Sequence, residues 1–247
     1  MELKEGKIML IDLHAHTSPI SPCCKGLADR IISDDMAAGI DGVVLTNHYQ
    51  KSYVEDRFGT LDNFAKAYTD EYHKMKLLGD EKGFKVFYGM EISMEPYNRL
   101  HMLVYGITPE FTLEHPDVFD LDHEQLYKLV KDNGGMLVQA HPFREAKHKV
   151  MELSLLDGLE ANSHPFYNGT FHEKLTELCH SKGLILTSGG DYHADTAYRA
   201  HCGAFLPEGI RDEKQLCDFL MTTPSIDLEL HEPNVHPSYR ITYVRKP

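Results

Sequence analysis

Short apolar runs rich in Val, Ile and Leu alternate along this chain with longer amphipathic stretches, and nearly every run ends on a His, Asp or Glu. The runs cover residues 8–11, 42–46, 85–88, 102–105, 136–140, 158–160, 184–187 and 203–206. Several are apolar without alternation, the mark of parallel strands covered on both faces. The stretches between them carry helix signals. Residues 27–38 have helical propensity and stop at Gly39. Leu61, Phe64, Tyr68, Tyr72 and Met75 form a stripe at helical spacing. Asp122 and Gln125 make a capping box for a helix that ends at Asn133-Gly134-Gly135. Thr170 and Glu173 make a second box, ahead of Phe171, Leu175 and Leu178. These stripes read as core-facing. Strand–helix alternation leaves two architectures, a parallel barrel or an open doubly wound sheet. A length of 247 residues suits one barrel-sized domain over 1–247, with an irregular tail from about residue 224.

In parallel α/β folds the loops at the carboxyl ends of the strands converge on one face. Asp12, His14 and His16 follow the first run, and Asn47 and His48 the second. Glu91 ends the third, His101 precedes or opens the fourth, His141 ends the fifth, and Asp191 and His193 follow 184–187. The chain holds 16 histidines, about two to three times ordinary usage, and imidazole is the commonest protein ligand for transition metals. His14 and His16 are two apart, so an extended segment points both rings to one side. Asp191 and His193 repeat that spacing, and the carboxylate of Glu91 can bridge two cations. Singly, each residue is a hydrogen-bonded histidine, a capping or paired glutamate, or a turn aspartate. Together they predict a metal site. His73, His115, His123, His148, His172, His180, His231 and His236 fall in helical or loop patterns and read as surface or packing residues.

The net charge of −13, without a basic tract, argues against a protein that grips nucleic-acid phosphates. A cluster of divalent cations would offset part of that charge and draw an anionic substrate to one pocket. Five cysteines without a framework spacing indicate a reducing compartment, by default the cytoplasm. No run is long enough to cross a bilayer. The opening MELKEGKIMLIDLHAHT lacks a small-residue cleavage site, which argues against a secretory signal.

Asp12-Leu13-His14-Ala15-His16-Thr17, Thr46-Asn47-His48, Gly89-Met90-Glu91, Gln139-Ala140-His141-Pro142 and Gly190-Asp191-Tyr192-His193 resemble, in order, the motifs of the PHP (polymerase and histidinol phosphatase) family. The resemblance runs from about Ile11 to His193 and beyond. It implies a distorted (β/α)7 TIM-like barrel with a metal cluster, often trinuclear, at the carboxyl ends of its strands. By the same resemblance His14, His16, Glu91 and Asp191 hold one metal. Glu91 is shared with a second that also takes His101 and His141, and His48 and His193 hold a third, with Asp191 shared. The sequence departs from the family where an Asp or His shortly after the opening motif serves the third metal. Here the stretch reads Ser18-Pro19-Ile20-Ser21-Pro22-Cys23-Cys24. Cys23 is either a thiolate for zinc or a buried structural cysteine. Asn47 stands where Asp is common.

The implied activity is a metal-dependent phosphoesterase acting on a small phosphorylated metabolite or nucleotide. Two or three divalent ions activate a bound water as the nucleophile and hold the phosphate oxygens. Mixed His and carboxylate ligands suit Zn, Mn or Fe over Ca. Asp12 is expected to orient a ligand histidine, Arg144 and then Arg199 to bind phosphate, and Tyr49 and His201 to contact the leaving group. Histidinol-phosphate phosphatase is the nearest rival. A phosphotyrosine-protein phosphatase, an amidohydrolase, a nuclease and a noncatalytic metal-binding domain are the other readings.

Overall fold

The computed structural model describes residues 8–144, 149–165, 169–194, 199–232 and 238–246. Its central element is β1 (Ile8–Ala15), buried everywhere except at Ile8. Around it run β2 (Gly42–Leu45), β3 (His48–Tyr49), β4 (Lys85–Met94), β5 (Leu100–Tyr105), β6 (Met136–Gln139), β7 (Gly158–Asn162), β8 (Ile185–Gly189), β9 (Gly203–Pro207), β10 (Ser225–Leu230) and β11 (Tyr239–Val244). The helices are α1 (Ala28–Ala37), α2 (Lys51–Tyr53), α3 (Leu61–Lys82), α4 (Pro109–Glu114), α5 (His123–Asp132), α6 (His172–His180) and α7 (Glu213–Thr222).

The sheet runs β11-β10-β9-β1-β2-β4-β5-β6-β7-β8, with β3 pairing to β4. From β1 to β8 it curls into a nearly closed TIM-like barrel. The chain leaving β8 returns to the end of β1, where Asp191 N donates to His14 O at 2.8 Å and Ala15 bridges Tyr192 in parallel. The opposite half of β1 pairs instead with β9, antiparallel from Ile8↔Pro207 to Ile11↔Ala204. One strand thus holds both sides of the seam.

Two features differ from the expected pattern. The sheet is mixed, because β5 runs antiparallel to both β4 and β6. Only residues 95–99 join β4 to β5, too short a link for a parallel crossover, and they turn through positive φ at Asn98 and Arg99 (54° and 60°). The segment from Pro224, expected to be irregular, forms the β10–β11 hairpin, in register from Ser225↔Val244 to Leu230↔Tyr239. Ile226, Leu228 and Leu230 alternate into the core. In the sequence Pro224 lies before these strands, and Pro233 and Pro237 fall between them.

The helices cover the sheet as their stripes require. Thr60 caps α3 by accepting from Asn63 N, and Gly83, at φ 70°, ends it. This helix buries Phe64, Tyr68, Tyr72 and Met75, each worth about 1.5–3 kcal/mol for an apolar side chain. Asp122 and Gln125 form their capping box at α5. The box expected at Thr170 and Glu173 does not form. Phe171 precedes α6 instead, at φ 54°, and the Thr170 hydroxyl donates to Glu232 Oε1 at 2.8 Å. No helix among the described residues is long and apolar enough to cross a membrane.

Candidate metal centre

His14, His16, His48, Glu91, His101, His141, Asp191 and His193 converge at the rim where β1, β4, β6 and β8 end. Glu91 is the hub. Its Oε1 lies 2.8 Å from His101 Nδ1 and 2.9 Å from His141 Nε2, and its Oε2 lies 2.5 Å from His48 Nδ1. Its oxygens also lie 3.4 Å from His14 Nε2 and 3.5 Å from His16 Nε2. Asp191 Oδ1 reaches His16 Nε2 at 2.9 Å, His14 Nε2 at 3.4 Å and His193 Nδ1 at 3.5 Å. Three overlapping groups bring ligand atoms within 4.8 Å of one another: His14, His16, Glu91 and Asp191; His48, Glu91 and His101; and His16, His48 and His193.

Local structure explains how so many polar groups reach one place. Asp12, His14 and His16 share one face of β1 and its extension. Glu91 lies within β4, short of its end. Because β5 runs antiparallel, its first residues lie on the same rim, and that direction delivers His101. His141 and Asp191 adopt positive φ (32° and 50°), costing on the order of 1–3 kcal/mol each. Surrounding bonds hold both in place: His141 N donates to Glu160 Oε2 at 2.8 Å, and Asp191 N to His14 O. Gly189 leaves the room needed here, since a Cβ on it would fall 2.4 Å from His14 Cβ.

Glu160 was not expected in the site. Its Oε1 accepts from His14 Nδ1 at 2.8 Å, the orienting role expected of Asp12. Asp12 acts on backbone instead: its Oδ1 accepts from His14 N (2.9 Å) and Gly190 N (2.8 Å), and its Oδ2 pairs with Arg199. The signal for Glu160 was its place at the end of the run 158–160, the same signal carried by the other ligands. Ser21 and His164 were missed as well. The Ser21 hydroxyl donates to Asn47 Oδ1 at 2.9 Å and lies 3.2 Å from His16 Nδ1. The buried His164 ring lies 6.1 Å from that of His193.

The other candidates separate. Arg144 Nη1 lies 3.0 Å from Asp191 Oδ2, with a quarter of its side chain exposed, at the edge of the cluster. Arg199 does not face a substrate: it is buried, pairing with Asp12 and, at 2.5 Å, with Asp35. A guanidinium cannot shed its charge, so burial requires carboxylates around it. Tyr49 is a core residue, fully buried and stacked 4.4 Å from Phe64, with its hydroxyl donating to Pro116 O at 2.9 Å. His201 pairs with Glu229 at 3.2 Å. Among the histidines read as surface or packing residues, His123 and His231 are buried, and His148 and His236 lie outside the described residues.

Where the protons of this cluster must sit decides whether it can hold cations. The Ser21 hydroxyl spends its hydrogen on Asn47, so it accepts from His16 Nδ1–H. His193 Nδ1 faces the carbonyl of Asp191 at 2.6 Å and must donate to it. His14 Nδ1 donates to the Glu160 carboxylate. In the neutral form all three rings therefore present an Nε2 lone pair, the form that binds a metal. Among buried atoms, His14 Nε2, His48 Nδ1 and Glu91 Oε2 make no well-formed hydrogen bond. Burial, then the neighbouring His193 and His48, push His16 well below the usual imidazole range. Burial also pushes His141 down, to about 3. Burial alone would lower His14 and raise Glu91. Glu160, Asp191 and Glu91 instead hold His14 well above its ordinary value, and His101, His48 and His14 hold Glu91 well below its own. The donor set fits divalent transition-metal ions.

Fold and site together define a class: a nearly closed barrel whose rim carries a buried cluster of imidazoles and carboxylates at metal-ligand spacing. Solved structures share that fold. A two-domain protein from Bacteroides vulgatus ATCC 8482, described as containing a PHP-like metal-dependent phosphoesterase, superposes with a TM-score of 0.70 at 14% identity, over 94% of this chain and 67% of that one. PsfC from Pseudomonas syringae PB-5123 gives 0.59 at 17% identity, over 85% and 88% of the two chains. A protein from Bifidobacterium adolescentis ATCC 15703, described as a metal-dependent phosphoesterase, gives 0.55 at 16%, over 87% and 97%. The chain has the fold of these proteins, one of them described as PHP-like. No protein-family model and no curated protein matches the sequence.

Proposed function

We propose that the protein is a metal-dependent phosphoesterase that hydrolyses a small phosphorylated metabolite or nucleotide. The observation that carries this reading is the convergence of His14 Nε2 and His16 Nε2 on the carboxylates of Glu91 and Asp191. In this reading His14, His16, Glu91 and Asp191 hold one divalent ion, Glu91, His101 and His141 a second, and His48 and His193 a third. Bound Zn, Mn or Fe would supply an acidified water as nucleophile and charge stabilisation for the phosphoryl oxygens. The chain's own residues do the remaining work. Glu160 fixes the His14 ring, Ser21 and Asn47 fix His16, and the tie between Asp12 and Gly190 sets the spacing of the first and last ligands. Arg144, at the open edge, presents a planar fork that matches a phosphate. The fold shared with two proteins described as metal-dependent phosphoesterases supports the same chemistry. A net charge of −13 favours a compact anion at the cluster over a polymeric one spread along the surface.

Elemental analysis of the purified protein, followed by assay of phosphomonoesters, nucleotides and phosphodiesters with Mn or Zn, tests the proposal. Two or three transition-metal ions per chain and metal-dependent phosphate release are expected. A protein that binds no transition metal and hydrolyses none of the panel would overturn it. Including histidinol phosphate in the panel separates the nearest rival.

A further inference from the structure

The start of α6 departs from what its sequence favours. Thr170, a good helix cap by residue type, spends its hydroxyl on Glu232 Oε1, and Phe171 takes the cap position at φ 54° with no side-chain cap bond. Phe143 sits in the turn that Arg144 N closes on His141 O at 3.2 Å, and its backbone is also left-handed, at φ 68°. Such a conformation is unfavourable for a bulky side chain and persists only where the surroundings impose it. What the two residues gain is each other. Their rings meet edge to face with centroids 6.0 Å apart, and Lys174 Nζ covers the Phe143 ring, 3.5 Å from its centre.

Beside this pair, Phe171, His172, Glu173, Lys174, Glu232 and Tyr239 line a cavity of about 390 Å³, within the size range of small-ligand sites. Two connections tie it to the metal centre. Phe143 is two residues from His141 and next to Arg144. Glu232 follows His231, whose N donates to Ser163 Oγ at 3.1 Å, and the ring of the next residue, His164, lies 6.1 Å from that of His193. The cavity thus borders the rim that carries the cluster. Its polar groups are mostly acceptors. The hydroxyls of Thr170 and Tyr239 both donate to Glu232 Oε1, at 2.8 and 3.0 Å. With their hydrogens spent, they can only accept from His172 Nδ1, 3.3 and 3.2 Å away. Neutral His172 therefore keeps its lone pair on Nε2. Two carboxylates, Glu173 and Glu232, stand against the single ammonium of Lys174. Such a lining does not favour a second anion and suits a neutral partner that brings N–H or O–H donors, while Phe171 adds an aromatic surface.

Resting on the phosphoesterase reading above, we propose that this cavity seats the alcohol portion of the substrate, and that this portion carries a flat neutral ring with hydrogen-bond donors, as a nucleobase does. Phe171 stacks on the ring, His172 Nε2 and the carboxylates accept from its edge, and Arg144 keeps the phosphate at the cluster. A small acyclic alcohol has no face to set against Phe171 and makes the poorer substrate.

Phosphate release from adenosine monophosphate and from glycerol phosphate, with Mn or Zn, tests this in the wild type, Phe171→Leu and Phe171→Tyr. The wild type should favour the nucleotide in kcat/KM by about tenfold or more, the scale of one base stacked on an aromatic side chain. Phe171→Leu should lose most of that preference, chiefly through KM, and Phe171→Tyr should keep it. Saturation-transfer NMR reads the same contact without turnover: the base protons of adenosine should be saturated by the wild type and by Phe171→Tyr, but not by Phe171→Leu. Equal kcat/KM for the two esters in the wild type, or a preference or saturation that survives in Phe171→Leu, overturns the assignment of the cavity and leaves the phosphoesterase reading standing. If no ester of the panel releases phosphate, that reading fails, and the substrate role of the cavity fails with it.

Discussion

Two buried charged clusters flank β1, and they solve the problem of burial in opposite ways. In one, Arg199 lies between Asp12 and Asp35. It carries its own permanent cation, and burial pushes Asp35 up to about 7 against the pull of that guanidinium. The charges nearly cancel within the protein. In the other, Glu91, Asp191 and Glu160 face a ring of imidazoles, with Arg144 only at the edge. Positive charge there must come from protons or from metal ions, and the orphaned Nε2 of His14 and Oε2 of Glu91 mark where it is missing. A buried cluster that neutralises itself is part of the scaffold, and one that does not calls for a cation from outside the chain.

That contrast can be broken by substitution. The largest effect is expected from Glu91→Ala, which removes the hub of the unneutralised cluster. Phosphate release should fall by about a thousandfold or more, the scale of losing preorganised charge stabilisation, with the fold intact by circular dichroism. Activity near the wild-type level would place the reaction elsewhere. Next comes Arg199→Met, which strands Asp12 and Asp35 without a cation. Urea unfolding should show a loss of about 3–5 kcal/mol, and unchanged stability would mean that the scaffold cluster does not depend on its guanidinium.

A smaller effect is expected from Glu160→Gln, which keeps the size of the residue that holds His14 and removes its charge. Metal affinity, read by competition with a chelating dye, should weaken about 10–100-fold. Unaltered affinity would return the orienting role to Asp12. The mildest test concerns Asp35 alone. Its carboxyl titrates higher folded than in an unfolded chain, where about 3.9 is usual. The folded state therefore binds the extra proton, and stability present at low pH is lost as pH rises through about 7. Asp35→Asn should flatten the fall in urea midpoint between pH 5 and pH 8, and an equal fall in both proteins would show that Asp35 is already ionised.

Much of this was legible in the sequence, for identifiable reasons. The strands and the stripe of α3 announce themselves because apolar spacing reports burial directly. The candidate ligands were legible because strand ends in such folds gather on one rim. Strand direction is not written in an apolar run, so only the shortness of 95–99 hinted that β5 turns back. Glu160 was overlooked because a glutamate closing a strand looks the same whether it faces solvent or an imidazole. The role of Arg199 could not be read because its partners Asp12 and Asp35 lie 187 and 164 residues away. The C-terminal hairpin was missed by giving prolines more weight than the alternation of Ile226, Leu228 and Leu230.

The seam at β1 bears on how the molecule is assembled. His16 and Asp191, 2.9 Å apart, are separated by 175 positions, so the first ligands to leave the ribosome wait for the last. Until residues 185–192 and then 203–207 have been synthesised, the early histidines have no opposite wall, and an ion captured by them has too few donors to be retained. Contacts between such distant positions also form slowly. The cluster therefore gains its opposite wall only when the strands at 185–189 and 203–207 seal the ring.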